Sequence, residues 1–283
     1  MSNKIPSQAM IPNDLNFLTP TIIDDLIRIG KKNDGGYVLP KFILAETDVL
    51  ISMGICNDWS FDEQFLSLIP HLKIHAYDHT VSRKFFIKRI AITLVKLFLG
   101  KSKPKEVIQG IRLLRAYQSF FTGNTIHFKE RIHNRQDMNY DANFQKIFER
   151  IDSKKVFIKM DIEGSEYRLI DDIIKHSTKI HGMVIEFHET DPLRLIFCNA
   201  IKKLQTVYEI VHLHANNYGA ICEDGLPEVL ELTFIKKEMC KQKGKRVELP
   251  LPGLDYPNDP HKKDYKIKFS FSNNRIHEAE TCQ

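Results

Sequence analysis

The stretch VFIKMDIEGSE, residues 156–166, predicts a buried strand that ends in acidic residues. Its apolar part, VFIKM, is short and rich in β-forming side chains, and Asp161 and Glu163 follow it before a helical pattern begins at Ser165. In an open α/β sheet, ligands bind beyond the carboxyl ends of the parallel strands. The two acids are therefore candidates to face a bound molecule. The competing interpretation is that they are solvated or cap the next helix.

The composition is that of an ordinary soluble globular protein, and 283 residues suffice for one large α/β domain with appendages or for two small domains. The five cysteines are scattered and form no C-x-x-C pair. This argues against a disulfide framework and a cysteine-based zinc site, and it favours a reducing compartment. The first fifteen residues show neither a long apolar core nor a small-residue cleavage site, so we predict no signal peptide and a cytoplasmic location.

Strand patterns alternate with helical patterns from residue 48 onward, which predicts a mostly parallel sheet covered on both faces. The last two strands are joined by a turn-rich segment without a helix, which predicts a hairpin and hence one antiparallel strand. This combination suggests the Rossmann-like, seven-stranded sheet of class I methyltransferases. Together with residues 156–160, the predicted strands span residues 48–55, 72–78, 125–128, 182–188, 208–214 and 229–236.

The remaining segments are predicted as additions to this sheet. Residues 1–40 form a lead-in with a short amphipathic helix around residues 22–29, and residues 41–283 form the methyltransferase domain. Within that domain, residues 81–123 are a helical insertion. Residues 245–283 form a tail that contains several prolines and is therefore predicted to be irregular.

The insertion is both basic and apolar. Residues 83–115 contain ten basic side chains and one acid, a net charge of +9 that leaves −4 for the rest of the chain. Its apolar run of about fifteen residues is shorter than the roughly 20 that span a bilayer. Packing against the core or a second subunit is one interpretation, and contact of residues 83–121 with an anionic membrane surface is another. Nucleic-acid binding is disfavoured because no aromatic stacking platform accompanies the charges.

Three further positions at strand ends indicate a nucleotide-type site. Gly54 would let a ligand approach the backbone closely because it has no Cβ. Asp78 is placed to accept from a ribose diol, the role that an acid plays after the second strand of dinucleotide-binding folds. Asp137 follows a third strand and would accept from an exocyclic amine. The alternatives are a turn glycine at Gly54 and a helix cap at Asp78.

The sequence resembles the FkbM-type family of S-adenosylmethionine-dependent methyltransferases. KMDIEGSE, residues 159–166, is the most specific matching segment, whereas the first glycine motif lacks a full G-x-G-x-x-G. The insertion is a departure from the family pattern. The other matching segments are NDGGYVLP (33–40), SMGICNDWSFDEQF (52–65), AYDHT (76–80), VIEFH (184–188), and LHANN with LELTF within residues 213–234.

The resemblance implies that S-adenosylmethionine lies over Gly54, with Asp78 on its ribose and Asp137 near its adenine. The rest of the predicted donor site is Asn57, Asp58 and Asp161. The predicted acceptor site is formed by strand-end residues on the same sheet edge, namely Asp161, Glu163, Glu186, His188 and His214.

Methyl transfer to a hydroxyl requires in-line positioning and removal of the hydroxyl proton. His188 and His214 are predicted base candidates because imidazole titrates near neutral pH. Asp161 is either the base itself or the group that holds the imidazole, and Glu163 completes the predicted catalytic set. A rival interpretation is a site for Mg²⁺ or Mn²⁺ formed by Asp161, Glu186, His188 and His214, which would acidify the hydroxyl.

The sequence therefore predicts an S-adenosylmethionine-dependent O-methyltransferase that acts on a hydroxyl of a sugar, a sugar nucleotide or a related surface-glycan precursor. The glycan acceptor follows from the resemblance alone. The alternatives are methylation of a lipid head group or a nucleic acid, and a binding module of the same fold without turnover. A homo-oligomer and peripheral membrane contact through the insertion are further expectations.

Overall fold

The protein is organised around one seven-stranded sheet. In the computed structural model, the described residues are 8–134, 141–241 and 244–269. The strands, in chain order, are β1 (Gln8–Ile11), β2 (Leu26–Ile29), β3 (Tyr37–Pro40), β4 (Val49–Met53), β5 (Lys73–Tyr77), β6 (Thr125–Phe128), β7 (Arg131–Ile132), β8 (Asp141–Ala142), β9 (Val156–Met160), β10 (Ile180–Phe187), β11 (Tyr208–Ala215), β12 (Leu230–Lys236), β13 (Glu248–Leu249) and β14 (Lys266–Phe269).

Helices lie between most of these strands and cover the sheet. The α-helices are α1 (Phe42–Ala45), α2 (Ser60–Leu68), α3 (Arg83–Phe98), α4 (Pro104–Phe120), α5 (Phe144–Glu149), α6 (Ile170–Lys175) and α7 (Arg194–Leu204). Short 3₁₀ turns span Asn13–Leu18, Glu166–Leu169 and Lys237–Met239.

The strand order of the central sheet is β6-β5-β4-β9-β10-β12-β11, and β12 runs antiparallel to both of its neighbours. This is the order of class I methyltransferases, and it confirms the predicted fold with its single antiparallel strand. From β4 the chain first builds outward through β5 and β6 and then returns to place β9 on the other side of β4. The crevice beyond the carboxyl ends of β4 and β9 is therefore the topological switch point, where open α/β sheets bind ligands.

The central strands are buried along their whole length. Every residue of β4 (VLISM) and of β9 (VFIKM) is inaccessible to solvent or nearly so. Strands that are covered on both faces carry continuous apolar runs rather than an alternating pattern. Lys159 is the exception within β9, and its polar contacts belong to the site described below.

The predicted helix around residues 22–29 is wrong. The chain instead forms β2, which pairs with β3 in an antiparallel hairpin. The β-branched Ile27 and Ile29 suit a strand, and the Asn-Asp-Gly-Gly segment between the two strands supplies the turn, in which Gly35 has a φ of +86°. A short apolar run is ambiguous between helix and strand until its partner is known.

The C-terminal tail is less irregular than its prolines suggested. In the part that the structure describes, β13 and β14 join β1 in a three-stranded sheet, and β14 runs parallel to β1. Leu249, Leu251 and Ile267 are buried in the main hydrophobic core. β1 lies more than 250 residues away from β14 in the chain, so no local pattern reveals this pairing.

The insertion consists of two antiparallel helices, α3 and α4, as the helical pattern predicted. Its base is held by an aromatic cluster in which Trp59 contacts Phe86, Tyr117 and Phe121. Trp59 therefore serves as the anchor of the hairpin. No helix within the described residues is long and apolar enough to cross a membrane.

Candidate functional site

Polar residues form a row across the carboxyl end of the sheet. Glu186 on β10 is paired with Glu231 on β12, and Glu231 is paired with His214 on β11. Asp161 directly follows β9, whose last residue, Met160, is paired with Ile185, so Asp161 lies next to Glu186 in the row. Paired residues of neighbouring strands point to the same face of a sheet. The register therefore places four ionisable side chains on one face, beside the switch point.

His188 lies at the centre of the acidic groups. Its Nδ1 atom is 3.2 Å from Glu166 Oε1, and its Nε2 atom is 3.6 Å from Glu163 Oε2. The same Nε2 atom is 3.8 Å from Glu186 Oε1 and 3.9 Å from Asp161 Oδ1. The structure thus brings together four of the five residues predicted for the acceptor site.

These neighbours make His188 a cation at neutral pH. Burial acts against the charged imidazole, but the hydrogen bond to Glu166 and the charges of Glu186 and Asp161 prevail and raise the pKa of His188 to about 9. An imidazolium donates protons and does not accept them. A protonated imidazole can donate to the surrounding carboxylates, and the predicted role of His188 as the base stays a prediction.

Asp161 is the acid of this cluster that suits proton transfer. Burial raises the pKa of Asp161, and the charges of Lys159 and His188 partly oppose that rise. Its side chain remains 28% exposed, so a substrate hydroxyl can approach it. A carboxylate whose pKa is raised toward the working pH is a more effective base than an ordinary one.

Glu166 belongs to this cluster, although its sequence position after Ser165 indicated only the start of a helix. It is fully buried, and its Oε1 atom accepts hydrogen bonds from the backbone N–H groups of Ile162 and Gly164, each at 3.1 Å. The same oxygen faces His188. Glu166 therefore fixes the turn that carries Glu163, whose φ is +54°, and orients the imidazole at the same time.

The candidate cation ligands differ from the predicted set. Asp161, Glu163 and His188 each offer a ligand atom, and these atoms lie within 4.8 Å of one another. This group shares Asp161 and His188 with the predicted set, and it has Glu163 in place of Glu186 and His214. Two carboxylates and an imidazole form an oxygen and nitrogen donor set that suits Mn²⁺ or Mg²⁺.

His214 is buried and faces a carboxylate at each of its ring nitrogens, and its predicted roles as base and metal ligand stay predictions. Its Nδ1 atom is 3.0 Å from Glu231 Oε2, and its Nε2 atom is 3.1 Å from Asp264 Oδ1 in the tail. Burial opposes its charge, but the hydrogen bonds to Asp264 and Glu231 raise the pKa of His214 to about 10. His212, on the same strand, is buried and hydrogen bonded to Asp255 at 3.1 Å.

The ion pairs of His214 with Glu231 and Asp264 predict a specific pH dependence of the free energy of unfolding. The folded protein keeps the His214 proton up to about pH 10, whereas an unfolded histidine releases it near pH 6.5. The stabilisation is therefore complete below pH 6.5 and decreases as the pH rises toward 10, by about 1.4 kcal/mol for each unit of raised pKa. Urea unfolding between pH 6 and 10 should show this component in the wild type and not in His214→Gln. Equal slopes in the two proteins would contradict the assignment.

Glu186 is held by neutral donors from two other elements. Asn216 Nδ2 donates to its Oε1 atom at 2.7 Å, and the Tyr37 hydroxyl donates to its Oε2 atom at 3.3 Å. Burial, with the charges of Asp161 and Glu231, raises the pKa of Glu186 well above its ordinary value. Glu186 therefore forms the inner wall of the cluster, where burial disfavours the charged form of its carboxyl group.

Gly54 is required by the protein's own backbone. Its φ is +76°, and a Cβ atom at this position would lie 1.7 Å from the carbonyl oxygen of Asp161. Lys159 adds a second link, because its Nζ atom donates to the Gly54 carbonyl at 2.7 Å and lies 4.0 Å from Asp161 Oδ2. The end of β4 is thereby locked to the end of β9, and the predicted close approach of a ligand at Gly54 stays a prediction.

Asp78 shapes the loop that follows β4. Its Oδ2 atom accepts from the Cys56 backbone N–H at 2.8 Å, and its Oδ1 atom accepts from the backbone and hydroxyl of Thr80 at 2.7 and 2.6 Å. Cys56 has a φ of +43°, so the carboxylate stabilises a strained loop conformation. Each carboxylate oxygen has two lone pairs, which leaves acceptor capacity for a ribose.

The other predicted donor-binding residues are less directly placed. Asp58 pairs with Lys31 at 2.9 Å and accepts from the Ser60 backbone N–H at 3.0 Å, so it shapes the turn that leads into α2. Asn57 lies beside it in the loop after β4, partly exposed. Asp137 lies outside the described residues.

The tail and the lead-in contribute residues that the sequence reading did not single out. Asn258 Nδ2 donates to Glu231 Oε1 at 2.6 Å and to Asp34 Oδ1 at 3.3 Å. Burial is the main reason that the pKa of Asp34 is raised. Asp34 belongs to the NDGGYVLP segment, which was a signal for it, whereas nothing local marks Asn258 or Asp264 as partners of the cluster.

Comparisons with known proteins give structural matches only. No family model and no curated protein sequence matches the chain. Matching structures include the fibrillarin pre-rRNA processing protein of Methanococcus jannaschii, with 12% identity over 68% of this chain and 67% of that chain and a TM-score of 0.37. They also include a precorrin-6y C5,15-methyltransferase from Geobacter metallireducens, with 14% identity over 69% of this chain and 87% of that chain and a TM-score of 0.34.

A third match is a putative rRNA methylase from Clostridium thermocellum, with 12% identity, coverage of 69% of this chain and 91% of that chain, and a TM-score of 0.35. Identities this low concern the fold and not the activity. The fold assignment itself rests on the strand order and on the position of the antiparallel strand.

Proposed function

We propose that the protein is an S-adenosylmethionine-dependent O-methyltransferase of the FkbM type. The observation that carries the proposal is the meeting of two strand ends at the switch point. There, the loop after β4, which is shaped by Asp78, lies beside the loop after β9, which carries Asp161 and Glu163. The first has the features of a donor-binding loop and the second those of a proton-transfer site.

S-adenosylmethionine, when bound, supplies an electrophilic methyl group. The chain must then hold an acceptor hydroxyl in line with that group and remove its proton. Asp161 is proposed as the proton acceptor, because its pKa is raised and its side chain is accessible. His188 is proposed as a positioning residue that donates to the surrounding carboxylates and stabilises the charged form of Asp161.

A hydroxyl-rich, uncharged acceptor suits this site better than a phosphate-rich one. Asp34, Asp161, Glu163, Glu186 and Glu231 lie in one region and are only partly balanced by Lys159, His188 and His214. Carboxylates accept hydrogen bonds from sugar hydroxyls but repel phosphates. This charge pattern supports an uncharged sugar ring as the group next to Asp161. The resemblance to the FkbM-type family supports a sugar, a sugar nucleotide or a surface-glycan precursor as the whole acceptor.

A divalent cation is the second candidate for activating the hydroxyl. Asp161, Glu163 and His188 would hold Mg²⁺ or Mn²⁺, which would lower the pKa of a bound hydroxyl. The imidazole would then have to lose its proton, because only the neutral form of imidazole binds a metal ion. Methyl transfer that needs added Mn²⁺ or Mg²⁺ would favour this account over Asp161 as the base.

Calorimetric titration with S-adenosylhomocysteine tests the donor site. We expect about one site per chain with micromolar affinity, and no binding of NAD⁺, which distinguishes this fold from dinucleotide-binding relatives. The titration is repeated after EDTA treatment and with Mg²⁺ or Mn²⁺ restored, so that a cation-linked change in affinity becomes visible. Absence of binding under all of these conditions would overturn the proposed function.

The acceptor is tested separately by the release of S-adenosylhomocysteine with a panel of nucleotide sugars and methyl glycosides. Turnover with members of the panel would support the glycan class. Donor binding without turnover on any sugar of the panel, or on phospholipid head groups and RNA assayed in the same way, would indicate a binding module of the same fold.

A further inference from the structure

The α3–α4 hairpin packs on the domain only at its base. The buried residues of the hairpin are Phe86 near the start of α3, Tyr117 near the end of α4, and Val107 at the α3–α4 seam. The two helices contact each other closely at Gly110, where a Cβ atom would lie 3.0 Å from the Ile90 side chain. With 16 and 17 residues, the helices are about 24 Å long. The turn between them is therefore far from the aromatic base.

The distal half of the hairpin presents apolar side chains to solvent. Phe98 is 90% exposed, Leu99 is 63% exposed and Val95 is 59% exposed, all at the end of α3. One face of α3 carries the exposed side chains of Ile87, Leu94, Val95 and Phe98. The last three follow Ile87 by seven, eight and eleven residues, which are helical spacings. The interpretation that this apolar side packs on the core does not hold for these residues. Exposed apolar residues in such a group mark an interaction surface.

Basic side chains surround this apolar surface. All ten Lys and Arg residues of residues 83–115 are exposed, and Glu106 is the single acid among them. Three of the cations, Lys88, Arg89 and Lys96, line a cavity of about 450 Å³ beside Phe85 and Ile92. The surface therefore combines a positive field with apolar groups that have no partner in the described part of the chain.

We propose that the tip of the α3–α4 hairpin binds the surface of an anionic phospholipid bilayer. Phe98, Leu99 and Val95 would enter the boundary between headgroups and acyl chains, and the lysines would contact lipid phosphates. Charge complementarity favours this partner over a second copy of the chain, because two hairpins in contact would bring twenty cations together and only two acids. The proposal concerns the hairpin alone and does not depend on the methyltransferase activity.

Flotation of the full chain with vesicles tests the proposal. Wild-type protein is mixed with vesicles of phosphatidylcholine alone, and with vesicles that contain about one third phosphatidylglycerol. We expect binding to the anionic vesicles only, reduced about ten-fold or more at about 0.5 M NaCl, where surface charges are screened. The double variant Phe98→Ser, Leu99→Ser should lose about ten-fold or more of this binding, since it removes two exposed apolar side chains.

Leu195→Ser is the matched control, because Leu195 is 75% exposed on α7, outside the hairpin. This control should bind vesicles as the wild type does, and circular dichroism should show that both variants are folded. Absence of wild-type binding, or equal binding to neutral and anionic vesicles, would overturn the proposal. A dimer that dissociates in the Phe98→Ser, Leu99→Ser variant, without vesicle binding, would assign the surface to a second copy instead.

Discussion

The Asp161→Asn protein is expected to lose methyl transfer by a factor of about 10²–10⁴ while binding S-adenosylhomocysteine within a few-fold of the wild type. Asparagine has nearly the same shape as aspartate but cannot accept a proton at neutral pH. In the proposed mechanism, the acceptor hydroxyl would keep its proton and attack poorly. The loss should therefore appear in kcat and not in donor affinity.

The geometry around Asp161 explains why the fold should tolerate this change. The backbone N–H of Asp161 donates to the Met53 carbonyl at 3.1 Å, and its carbonyl oxygen packs against Gly54. These backbone contacts hold the ends of β4 and β9 together and do not involve the carboxylate. The carboxylate has ionic neighbours only at 3.9 Å or more, so its charge is not required for a hydrogen bond within the loop.

Asp171→Asn is the matched control. It is the same change of residue type, but Asp171 lies on the surface of α6, where it pairs with Lys203. Its turnover and donor affinity should equal those of the wild type. Calorimetry with S-adenosylhomocysteine and thermal unfolding are measured on all three proteins. Retained turnover in Asp161→Asn would exclude Asp161 as the base and favour activation by a cation. Loss of the fold would show that Asp161 is structural.

The Lys159→Met protein is expected to lose about 3–5 kcal/mol of the free energy of unfolding. Lys159 is a buried cation on β9, with a side chain that is 6% exposed. Its Nζ atom donates to the Gly54 carbonyl, and its charge acts on the buried Asp62 and on the partly exposed Asp161. Methionine preserves the length of the side chain but leaves the carbonyl without this donor and both acids without their counter-charge.

Asp62 makes the prediction specific. It is 1% exposed on α2, and burial raises its pKa to about 6, although the charge of Lys159 and the Ser52 side chain act against the rise. If Lys159 stabilises the fold mainly by balancing Asp62, then Asp62→Asn should recover about 1–2 kcal/mol in the Lys159→Met background. The double-mutant cycle thus separates the charge balance from the hydrogen bond to Gly54.

Lys155→Met is the matched control for this series. Lys155 lies just before β9, is 43% exposed and pairs with Glu46 at 3.0 Å on the surface. An exposed pair contributes little, so the change in the free energy of unfolding should stay within about 0.5 kcal/mol. Urea denaturation at pH 7 of the four proteins of the cycle and of Lys155→Met provides the comparison. A loss of less than about 1 kcal/mol in Lys159→Met would show that the buried charge is not needed.

Much of the sheet could be predicted because its signals are local. β6 begins and ends at the predicted residues, and β4, β5, β10 and β12 differ from prediction by no more than two residues at either end. Buried parallel strands are continuous apolar runs between turn residues, so each is visible within a few residues of sequence. The hairpin of α3 and α4 was visible for the same reason, as two helical patterns separated by Ser102, Lys103 and Pro104.

The site was predictable only in part, because its geometry depends on side chains that are distant in sequence. Strand-end logic selected Asp161, Glu163, Glu186 and His188, and the fold brings these four together. It could not show that Glu166 holds the imidazole. Nor could it show that His214 is enclosed by two carboxylates, because Asp264 comes from a tail that reads as irregular. The pKa of each histidine is set by such partners and not by its own position.

The sequence by itself determined the strand types, the parallel sheet with one antiparallel strand, and the acidic ends of its strands, because hydrophobic periodicity and turn residues act over a few positions. Only the tertiary structure decided which acids surround His188 and which acids enclose His214. It also decided which face of the basic hairpin stays exposed. Those outcomes depend on burial and on contacts between distant segments, and no local pattern encodes the neighbours that fix a charge.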